Sequence, residues 1–315
     1  MAYTILIPEK VADEGLEYLR NKGYKIKMGR GLDKETLIED LQDCDGVIIR
    51  VAVIDEEVFT SCPRLKVVSK HGVGVDSIDL NAAGKYGRRV VNVPNANTLS
   101  VGEQTMALII SCAKRLPFMC AQYKSGNYNI KDTILTNEIS GKTLGLVGFG
   151  RIGATVAKMA KYGFSMNTIA YDPYIPKDKK FNEAVLVDSW EQLFCESDFV
   201  SVHMPATKET EKIIGEREFK LMKKSAFIIN AARGKIIDEE ALIHALKHNE
   251  IMGAGLDVSN PEPAHMSNPL FQMDNVIMTP HNAACTQEAM VRMAVGAAMG
   301  LDEVLSGKEP TYPVV

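Results

Sequence analysis

Three polar side chains in the C-terminal half of the sequence, Arg233, Glu262 and His281, lie at or just beyond the ends of apolar runs. An arginine fork can bind a carboxylate and a ketone oxygen in a defined geometry. A histidine titrates near neutral pH and can donate a proton, and a neighbouring carboxylate favours its charged form. Taken singly, each residue could be an ordinary surface or strand-end group. Taken together, they predict reduction of a small 2-keto acid.

A glycine pattern lies upstream, where Gly148, Gly150 and Gly153 form Gly-x-Gly-x-x-Gly after an apolar run and before a helical pattern. The first glycine permits a tight turn, the second lets backbone approach a pyrophosphate, and the third lets helix and strand pack closely. Asp172 closes the next strand about 20 residues later, where a carboxylate binds ribose hydroxyls and repels a 2′-phosphate. The pattern predicts NAD rather than NADP; the alternative is a glycine turn that binds nothing.

Short apolar runs alternate with helical patterns along the chain, which is typical of parallel sheets covered by helices. The first set of predicted strands is Thr4–Pro8, Tyr24–Met28, Gly46–Arg50 and Lys66–Ser69. The second set is Leu144–Val147, Thr168–Tyr171, Phe199–His203, Ala226–Asn230, Gly253–Val258 and Val276–Thr279. The sequence therefore predicts an α/β protein with two Rossmann- or flavodoxin-like, doubly wound parallel-sheet domains, with ligands bound at the strand ends.

A helix is expected to connect the two sets of strands. Ser100 and Glu103 have the spacing of a capping box and open an apolar run that ends at Pro117. A last helical pattern from Thr286 to Leu305 is long enough to return to the first domain. The predicted domains, with an active site expected in the cleft between them, are a substrate domain at 1–98 plus 287–315 and an NAD-binding Rossmann domain at 99–286.

Composition argues against several classes of partner. The formal net charge is −4, with no concentration of basic residues for nucleic acid. The longest apolar stretches, such as Met106–Ala113, are far shorter than the roughly 20 residues of a membrane span. Six cysteines are scattered without a Cys-x-x-Cys pair or a Cys/His cluster, so neither zinc nor disulfides are expected. Because no export signal is visible, we expect a cytoplasmic protein without a metal, membrane or nucleic-acid partner.

Several segments carry motifs in a fixed order: Lys70–Asp79, Val93–Asn97, the glycine pattern through Pro173, His203–Thr207, Ile229–Gly234, Asp257–Pro263 and Thr279–His281. In these motifs and their order the sequence resembles the D-2-hydroxyacid dehydrogenase family, and within it the phosphoglycerate dehydrogenase-like branch. The resemblance covers nearly the whole chain. It implies an NAD-dependent enzyme that interconverts a D-2-hydroxy acid and its 2-keto acid.

The resemblance also implies roles for single residues. Arg233 would bind the substrate, His281 would be the general acid/base, and Glu262 would orient and charge His281. Backbone groups of Val73 and Gly74 would bind the substrate carboxylate. The residues expected to contact the dinucleotide are Gly148, Gly150, Arg151, Ile152, Gly153, Asp172, Pro205, Ala231, Ala232, Asp257, His281 and Ala283. A homodimer formed through the cofactor domain is likewise implied.

The identity of the substrate stays open. Phosphoglycerate dehydrogenases follow the arginine that matches Arg50 with hydroxyl residues, whereas this sequence continues with Val51, Ala52 and Val53. We expect Arg50 to bind the end of the substrate remote from the reacting carbon. A D-3-phosphoglycerate dehydrogenase-like activity is the first expectation, and reduction of hydroxypyruvate, glyoxylate or a bulkier 2-keto acid is the alternative. A corepressor-like protein that senses NAD(H) is the alternative from a different class, although no interaction tail or basic arm favours it.

Overall fold

The computed structural model describes residues 3–315. The chain divides into two compact units: unit 1 extends to Thr98 and includes Ala284–Val315, and unit 2 is Leu99–Ala283. Each unit is built on its own β-sheet, and the paired strands of both sheets are parallel. The predicted fold class, two α/β domains on parallel sheets, is confirmed.

Unit 1 contains a five-stranded sheet with the strand order β2-β1-β3-β4-β5. Its first nine elements are β1 (Thr4–Ile7), α1 (Asp13–Asn21), β2 (Lys25–Met28), α2 (Lys34–Leu41), β3 (Gly46–Ile49), α3 (Glu56–Ser61), β4 (Val67–Lys70), α4 (Leu80–Lys85) and β5 (Arg89–Val91). Because β3 and β4 are buried throughout, they consist mostly of β-branched residues. Because β3 pairs in parallel with both β1 and β4, the carboxyl ends of these three strands lie side by side.

Unit 2 contains a seven-stranded sheet with the order β12-β11-β10-β9-β6-β7-β8. Its elements are α5 (Thr98–Ala113), α6 (Leu116–Lys124), α7 (Ile130–Thr133), β6 (Thr143–Val147), α8 (Arg151–Phe164), β7 (Asn167–Tyr171), β8 (Val185–Leu186), α9 (Trp190–Glu196), β9 (Phe199–Val202), α10 (Glu216–Leu221), β10 (Phe227–Asn230), α11 (Glu239–Lys247), β11 (Gly253–Leu256) and β12 (Val276–Met278). The strand order reverses at β6, which pairs with both β7 and β9. Open α/β sheets bind ligands at such a reversal, beyond the carboxyl ends of the strands.

The last helix, α12 (Gln287–Leu305), belongs to unit 1, in which it packs against α1. A Cβ atom on Gly15 would lie 2.8 Å from the backbone of Ala294, so glycine permits the close contact of the two helices. The buried carboxylate of Asp302 accepts hydrogen bonds from the hydroxyls of Tyr18 and Tyr24 at 3.1 and 2.7 Å. These contacts fix α12 on the first unit.

Two details of the sequence prediction are wrong. The capping box was placed at Ser100, but α5 begins at Thr98, so Ser100 lies inside the helix and is buried. The same helix ends at Ala113 rather than at Pro117, because Arg115 adopts a left-handed conformation with φ of 49°. Pro117 instead lies in the first turn of α6, where a missing N–H is tolerated. The short strands β5 and β8 were not predicted.

The described residues also bear on metals, membranes and thiols. Within residues 3–315, no helix combines the length and the apolar character needed to span a membrane. No cluster of three or more His, Cys, Asp or Glu side chains in the same range could hold a metal ion. All six cysteines are free thiols, and Cys44, Cys62 and Cys112 are buried.

Candidate active site

The glycine pattern forms the turn between β6 and the N-terminus of α8. Gly148 has φ of 91°, and a Cβ on Gly153 would lie 2.5 Å from the carbonyl oxygen of Gly148. A Cβ on Gly150, in contrast, would meet nothing within 4 Å. No side chain caps the helix that follows. The open space at Gly150 and the uncapped N–H groups fit a dinucleotide pyrophosphate.

Asp172 follows β7 and is bonded to the glycine turn. Its carboxylate accepts hydrogen bonds from the backbone N–H of Phe149 at 2.9 Å and from that of Tyr174 at 3.0 Å. Gly148 is also bonded to this strand, because its N–H donates to the carbonyl of Tyr171 at 2.9 Å. A carboxylate is therefore fixed beside the glycine turn.

Arg233 lies in a tight loop after β10 that is organised by Asn230. The buried Asn230 side chain accepts a hydrogen bond from the Ala232 N–H at 3.0 Å and donates one to the Arg233 carbonyl at 2.9 Å. The guanidinium of Arg233 donates to the Ala232 carbonyl at 2.7 Å. The side-chain amide thus replaces missing backbone hydrogen bonds and fixes the loop that carries the arginine.

Gly234 allows a second loop to pack directly on this one. A Cβ there would lie 2.0 Å from the carbonyl oxygen of Ser259 and 2.9 Å from the backbone nitrogen of Asn260. Such contacts are sterically forbidden, so a side chain at this position would push the loops apart. Because the second loop carries Glu262, the glycine lets the loops that carry Arg233 and Glu262 pack in direct contact.

His281 and Glu262 form a hydrogen-bonded pair. The Nδ1 atom of His281 lies 2.8 Å from a carboxylate oxygen of Glu262, and the other oxygen accepts a hydrogen bond from the Ser259 N–H at 3.1 Å. The hydrogen bond to Glu262 raises the pKa of His281, although partial burial and the nearby Arg233 charge oppose it. Burial raises the pKa of Glu262, but the bond and charge of His281 outweigh it and the net shift is downward. The pair therefore favours imidazolium beside carboxylate.

Asp257 fixes the segment that carries His281. This fully buried carboxylate accepts hydrogen bonds from the Thr279 hydroxyl and from the N–H groups of Asn282 and Ala283, at 3.1 and 2.9 Å for the last two. The N–H of His281 itself donates to the Asp257 carbonyl at 2.7 Å. His281 has φ of 50°, a conformation that this network must stabilise. The contacts that Asp257 and Ala283 were expected to make with the cofactor stay predictions.

The remaining residues expected to contact the cofactor lie beyond strand ends or at the start of α8. Pro205 follows β9, and its carbonyl accepts a hydrogen bond from Thr210. Arg151 and Ile152 open α8, and Ala231 follows β10. The part played by Asn230 in fixing the loop was not predicted, and only a polar residue at the end of the buried strand β10 could have suggested it.

Unit 1 contains Arg50, Val73 and Gly74, which were expected to bind the substrate. Arg50 directly follows β3, and its guanidinium donates to the carbonyl of Lys10 at 3.1 Å. Val73 and Gly74 follow β4, and within residues 3–315 their N–H groups donate to no acceptor. The adjacent His71 is buried, and its Nε2 atom has no hydrogen-bond partner among the described residues. Burial and the nearby Arg50 charge lower the pKa of His71 to about 4, which makes the ring neutral.

The glycine turn, the acid after the next strand and the arginine–carboxylate–histidine set define unit 2 as a dinucleotide-binding α/β domain with acid/base groups. Residues 106–283 match the family model described as D-isomer specific 2-hydroxyacid dehydrogenase, NAD binding domain. The chain belongs to the D-isomer-specific 2-hydroxyacid dehydrogenase family, as the sequence motifs predicted.

Its relatives include proteins with different named substrates. The chain is 42% identical over 306 residues to a D-3-phosphoglycerate dehydrogenase of Methanocaldococcus jannaschii, an alignment that covers 96% of this chain and 58% of that protein. It is 38% identical over 281 residues to a glyoxylate reductase of Korarchaeum cryptofilum, covering 88% of this chain and 84% of that protein. The crystal structure of the TT0316 protein from Thermus thermophilus superposes with a TM-score of 0.92, at 35% identity and with 99% and 100% of the two chains covered. The chain thus resembles the phosphoglycerate dehydrogenase branch but spans little more than half the length of the phosphoglycerate dehydrogenase named here.

Proposed function

We propose that the protein is an NAD-dependent dehydrogenase that interconverts a small D-2-hydroxy acid and its 2-keto acid. The observation that carries the proposal is the 2.8 Å hydrogen bond between His281 and Glu262, in the same unit as the glycine turn. The charge of Arg233 lowers the pKa of both residues, which supports an anion-binding role for the guanidinium beside the pair. Acid, orienting base and anion-binding group are therefore combined in the NAD-binding domain.

In the direction of ketone reduction, NADH bound at the glycine turn would supply the hydride for the carbonyl carbon. Arg233 binds the carboxylate and the ketone oxygen of the substrate, and so fixes the carbonyl for transfer. The Nδ1 atom of His281 is bonded to Glu262, which leaves Nε2 to donate the proton to the developing alkoxide. In the opposite direction neutral His281 accepts the hydroxyl proton. The raised pKa increases the fraction of His281 that is protonated near neutral pH, which favours reduction.

NAD would be held at the turn between β6 and α8. We propose that the pyrophosphate lies against Gly150 and the first N–H groups of α8, where no side chain competes for the space. The carboxylate of Asp172 would bind the adenosine ribose hydroxyls. The remaining contacts would come from the strand-end residues predicted above, Pro205, Ala231, Ala232, Asp257 and Ala283.

Two substrate classes remain candidates. A D-3-phosphoglycerate dehydrogenase-like activity is supported by identity to the archaeal enzyme, and a glyoxylate or hydroxypyruvate reductase is supported by a relative of which the chain covers 84%. Arg50 would meet the remote end of the substrate, and the N–H groups of Val73 and Gly74 would bind its carboxylate. The side chains of Val51 and Val53, both largely exposed, offer no hydroxyl to a phosphate, so Arg50 would have to bind a phosphate without a neighbouring side-chain hydroxyl.

We also propose a homodimer formed through unit 2. Helices α6 and α7 bury none of their residues, and the segment exposes Tyr123, Tyr128 and Leu135, the last at 89%. Such an apolar surface is usual where a second copy binds. Sedimentation equilibrium tests the proposal, which a monomer at micromolar concentration would refute.

We further propose that the protein is located in the reducing cytoplasm, which its six free thiols support. Fractionating cells and detecting the protein in each fraction tests this location.

The decisive experiment follows NADH oxidation with glyoxylate, hydroxypyruvate, 3-phosphohydroxypyruvate and a bulkier 2-keto acid. We expect His281→Gln to lower kcat by about 10²- to 10⁴-fold with little change in the Kd for NADH, because only the proton donor is lost. His248→Gln, which changes an exposed histidine after α11, is the matched control and should retain wild-type kcat. A wild-type protein that binds NADH but reduces no member of the panel would instead support the NAD(H)-sensing alternative.

A further inference from the structure

One carboxylate in unit 1 binds three consecutive backbone N–H groups. Glu9 accepts hydrogen bonds from the N–H groups of Arg50 at 2.7 Å, of Val51 at 2.9 Å and of Ala52 at 3.2 Å. The acid comes shortly after β1, and Arg50 comes directly after β3, which is paired with β1 in parallel. The pairing of the two strands therefore brings together residues that lie far apart in the sequence.

The same loop is held from the opposite side by Lys70. This buried ammonium, at the end of β4, donates to the carbonyl of Arg50 and to the hydroxyl of Ser77, the latter at 3.2 Å. The peptide groups on both sides of the Arg50 Cα are thus bonded to charged side chains. Hydrogen bonds of this kind are about twice as strong as those between neutral groups. The backbone of Arg50 is therefore fixed, while its guanidinium is bonded only to the carbonyl of Lys10 among the contacts described above, at 3.1 Å.

Successive N–H groups that point the same way form a binding site for an anion. Here the protein supplies that anion itself, so the loop needs no ligand to be ordered. Exposed and buried side chains alternate along the loop: Val51 and Val53 are exposed, whereas Ala52 and Ile54 are buried. The exposed valines cannot anchor the loop by burial. Glu9 therefore fixes the N–H groups at the Arg50 end of the loop, and Lys70 fixes the Arg50 carbonyl.

We propose that Glu9 is a positioning residue that directs Arg50 toward the substrate. The inference rests on the proposed function, in which Arg50 binds the remote end of a 2-keto acid. A guanidinium on a displaced backbone loses the orientation on which directed hydrogen bonds depend. Glu9 should therefore act on substrate binding through Arg50, and not on the proton transfer by His281.

The test measures KM, kcat and the Kd for NADH in Glu9→Gln and in Glu9→Gln combined with Arg50→Ala. In the single variant we expect KM for the preferred 2-keto acid to rise by about 10-fold, because the charged acceptor of three hydrogen bonds is lost, with kcat and the Kd for NADH nearly unchanged. In the Arg50→Ala background the same change should have no further effect on KM. Glu17→Gln, an exposed carboxylate on α1, is the matched control and should leave all three values unchanged.

Several results would overturn the inference. An unchanged KM in Glu9→Gln excludes the role, and an equal rise in KM with and without Arg50 shows that Glu9 does not act through the arginine. If the glutamine variant does not fold, Glu9→Asp keeps the charge on a shorter side chain, and it should raise KM by a smaller factor; a wild-type KM there would refute the role. A wild-type protein that reduces no 2-keto acid would mean failure of the proposed function, which is distinct from the failure of Glu9 in an active enzyme.

Discussion

The close backbone contact at Gly234 predicts that a Cβ added there will displace the loop at Ser259. An added Cβ would lie 2.0 Å from the carbonyl oxygen of Ser259, whereas Cβ contacts shorter than 3.0 Å are essentially not seen. In Gly234→Ala the loop at Ser259 must therefore move by at least about 1 Å. The Ser259 carbonyl oxygen and the nearby Asn260 nitrogen are both backbone atoms, so no side-chain rotation can relieve the contact.

That displacement reaches Glu262, whose carboxylate is bonded to the N–H of Ser259. Adding about 1 Å to the 2.8 Å distance between Glu262 and His281 takes it past the limit of about 3.5 Å for a hydrogen bond. We expect kcat for ketone reduction to fall on the order of 10²-fold, since a misplacement of 1 Å has effects of that size. Overpacking should also destabilise the fold by about 1–3 kcal/mol.

The assay compares Gly234→Ala with Gly163→Ala, a substitution in α8 where an added Cβ would meet nothing within 4 Å. Steady-state kinetics with NADH and a 2-keto acid should show the loss only in the first variant, and Tm should fall only there. The control should be unchanged or more stable, because alanine is favoured over glycine in a helix. A wild-type kcat in a folded Gly234→Ala protein would refute the argument that this contact positions Glu262.

Three further predictions concern single charges. Glu262→Gln should move the alkaline edge of the kcat profile for reduction to lower pH, because the hydrogen bond and charge that raise the pKa of His281 are reduced; an unmoved edge would remove Glu262 from the mechanism. The unmodified protein should have a higher kcat/KM with NADH than with NADPH, because the carboxylate of Asp172 opposes a 2′-phosphate; equal or reversed values would show the assignment to be wrong. Arg50→Ala should reduce kcat/KM for 3-phosphohydroxypyruvate far more than for hydroxypyruvate if the arginine binds phosphate; equal losses would exclude that role.

The parts of the site that local steric rules govern could be predicted from the sequence. Gly148, Gly150 and Gly153 each occupy a position whose backbone or packing requirement is set within a few residues, and the structure gives each one the expected environment. The pairing of Glu262 with His281 was also expected, but from a resemblance of motifs rather than from periodicity. The structure shows the hydrogen bond, whereas the catalytic roles stay proposals.

What could not be predicted depends on contacts between distant parts of the chain. The carboxylate of Glu9 lies 41 residues from Arg50 in the sequence, and only the pairing of β1 with β3 brings the two together. The predicted helix start at Ser100 is wrong because a helix can begin wherever its first N–H groups are satisfied. In the structure the Ser100 side chain is buried inside α5, so it does not form the start of the helix that its spacing from Glu103 had indicated. A local motif therefore predicts a helix start less securely than it predicts a glycine turn.

The proposed function requires this chain to transfer a hydride from NADH to a 2-keto acid to give the D-hydroxy acid. The measurement uses NADH carrying two deuterium atoms at C4 with hydroxypyruvate and 3-phosphohydroxypyruvate, and analyses the product by chiral chromatography and mass spectrometry. We predict a D-configured 2-hydroxy acid with one deuterium at C2, formed far more slowly by His281→Gln although that variant still binds NADH. An L-configured or unlabelled product, or no product from either keto acid or from glyoxylate, would refute this activity.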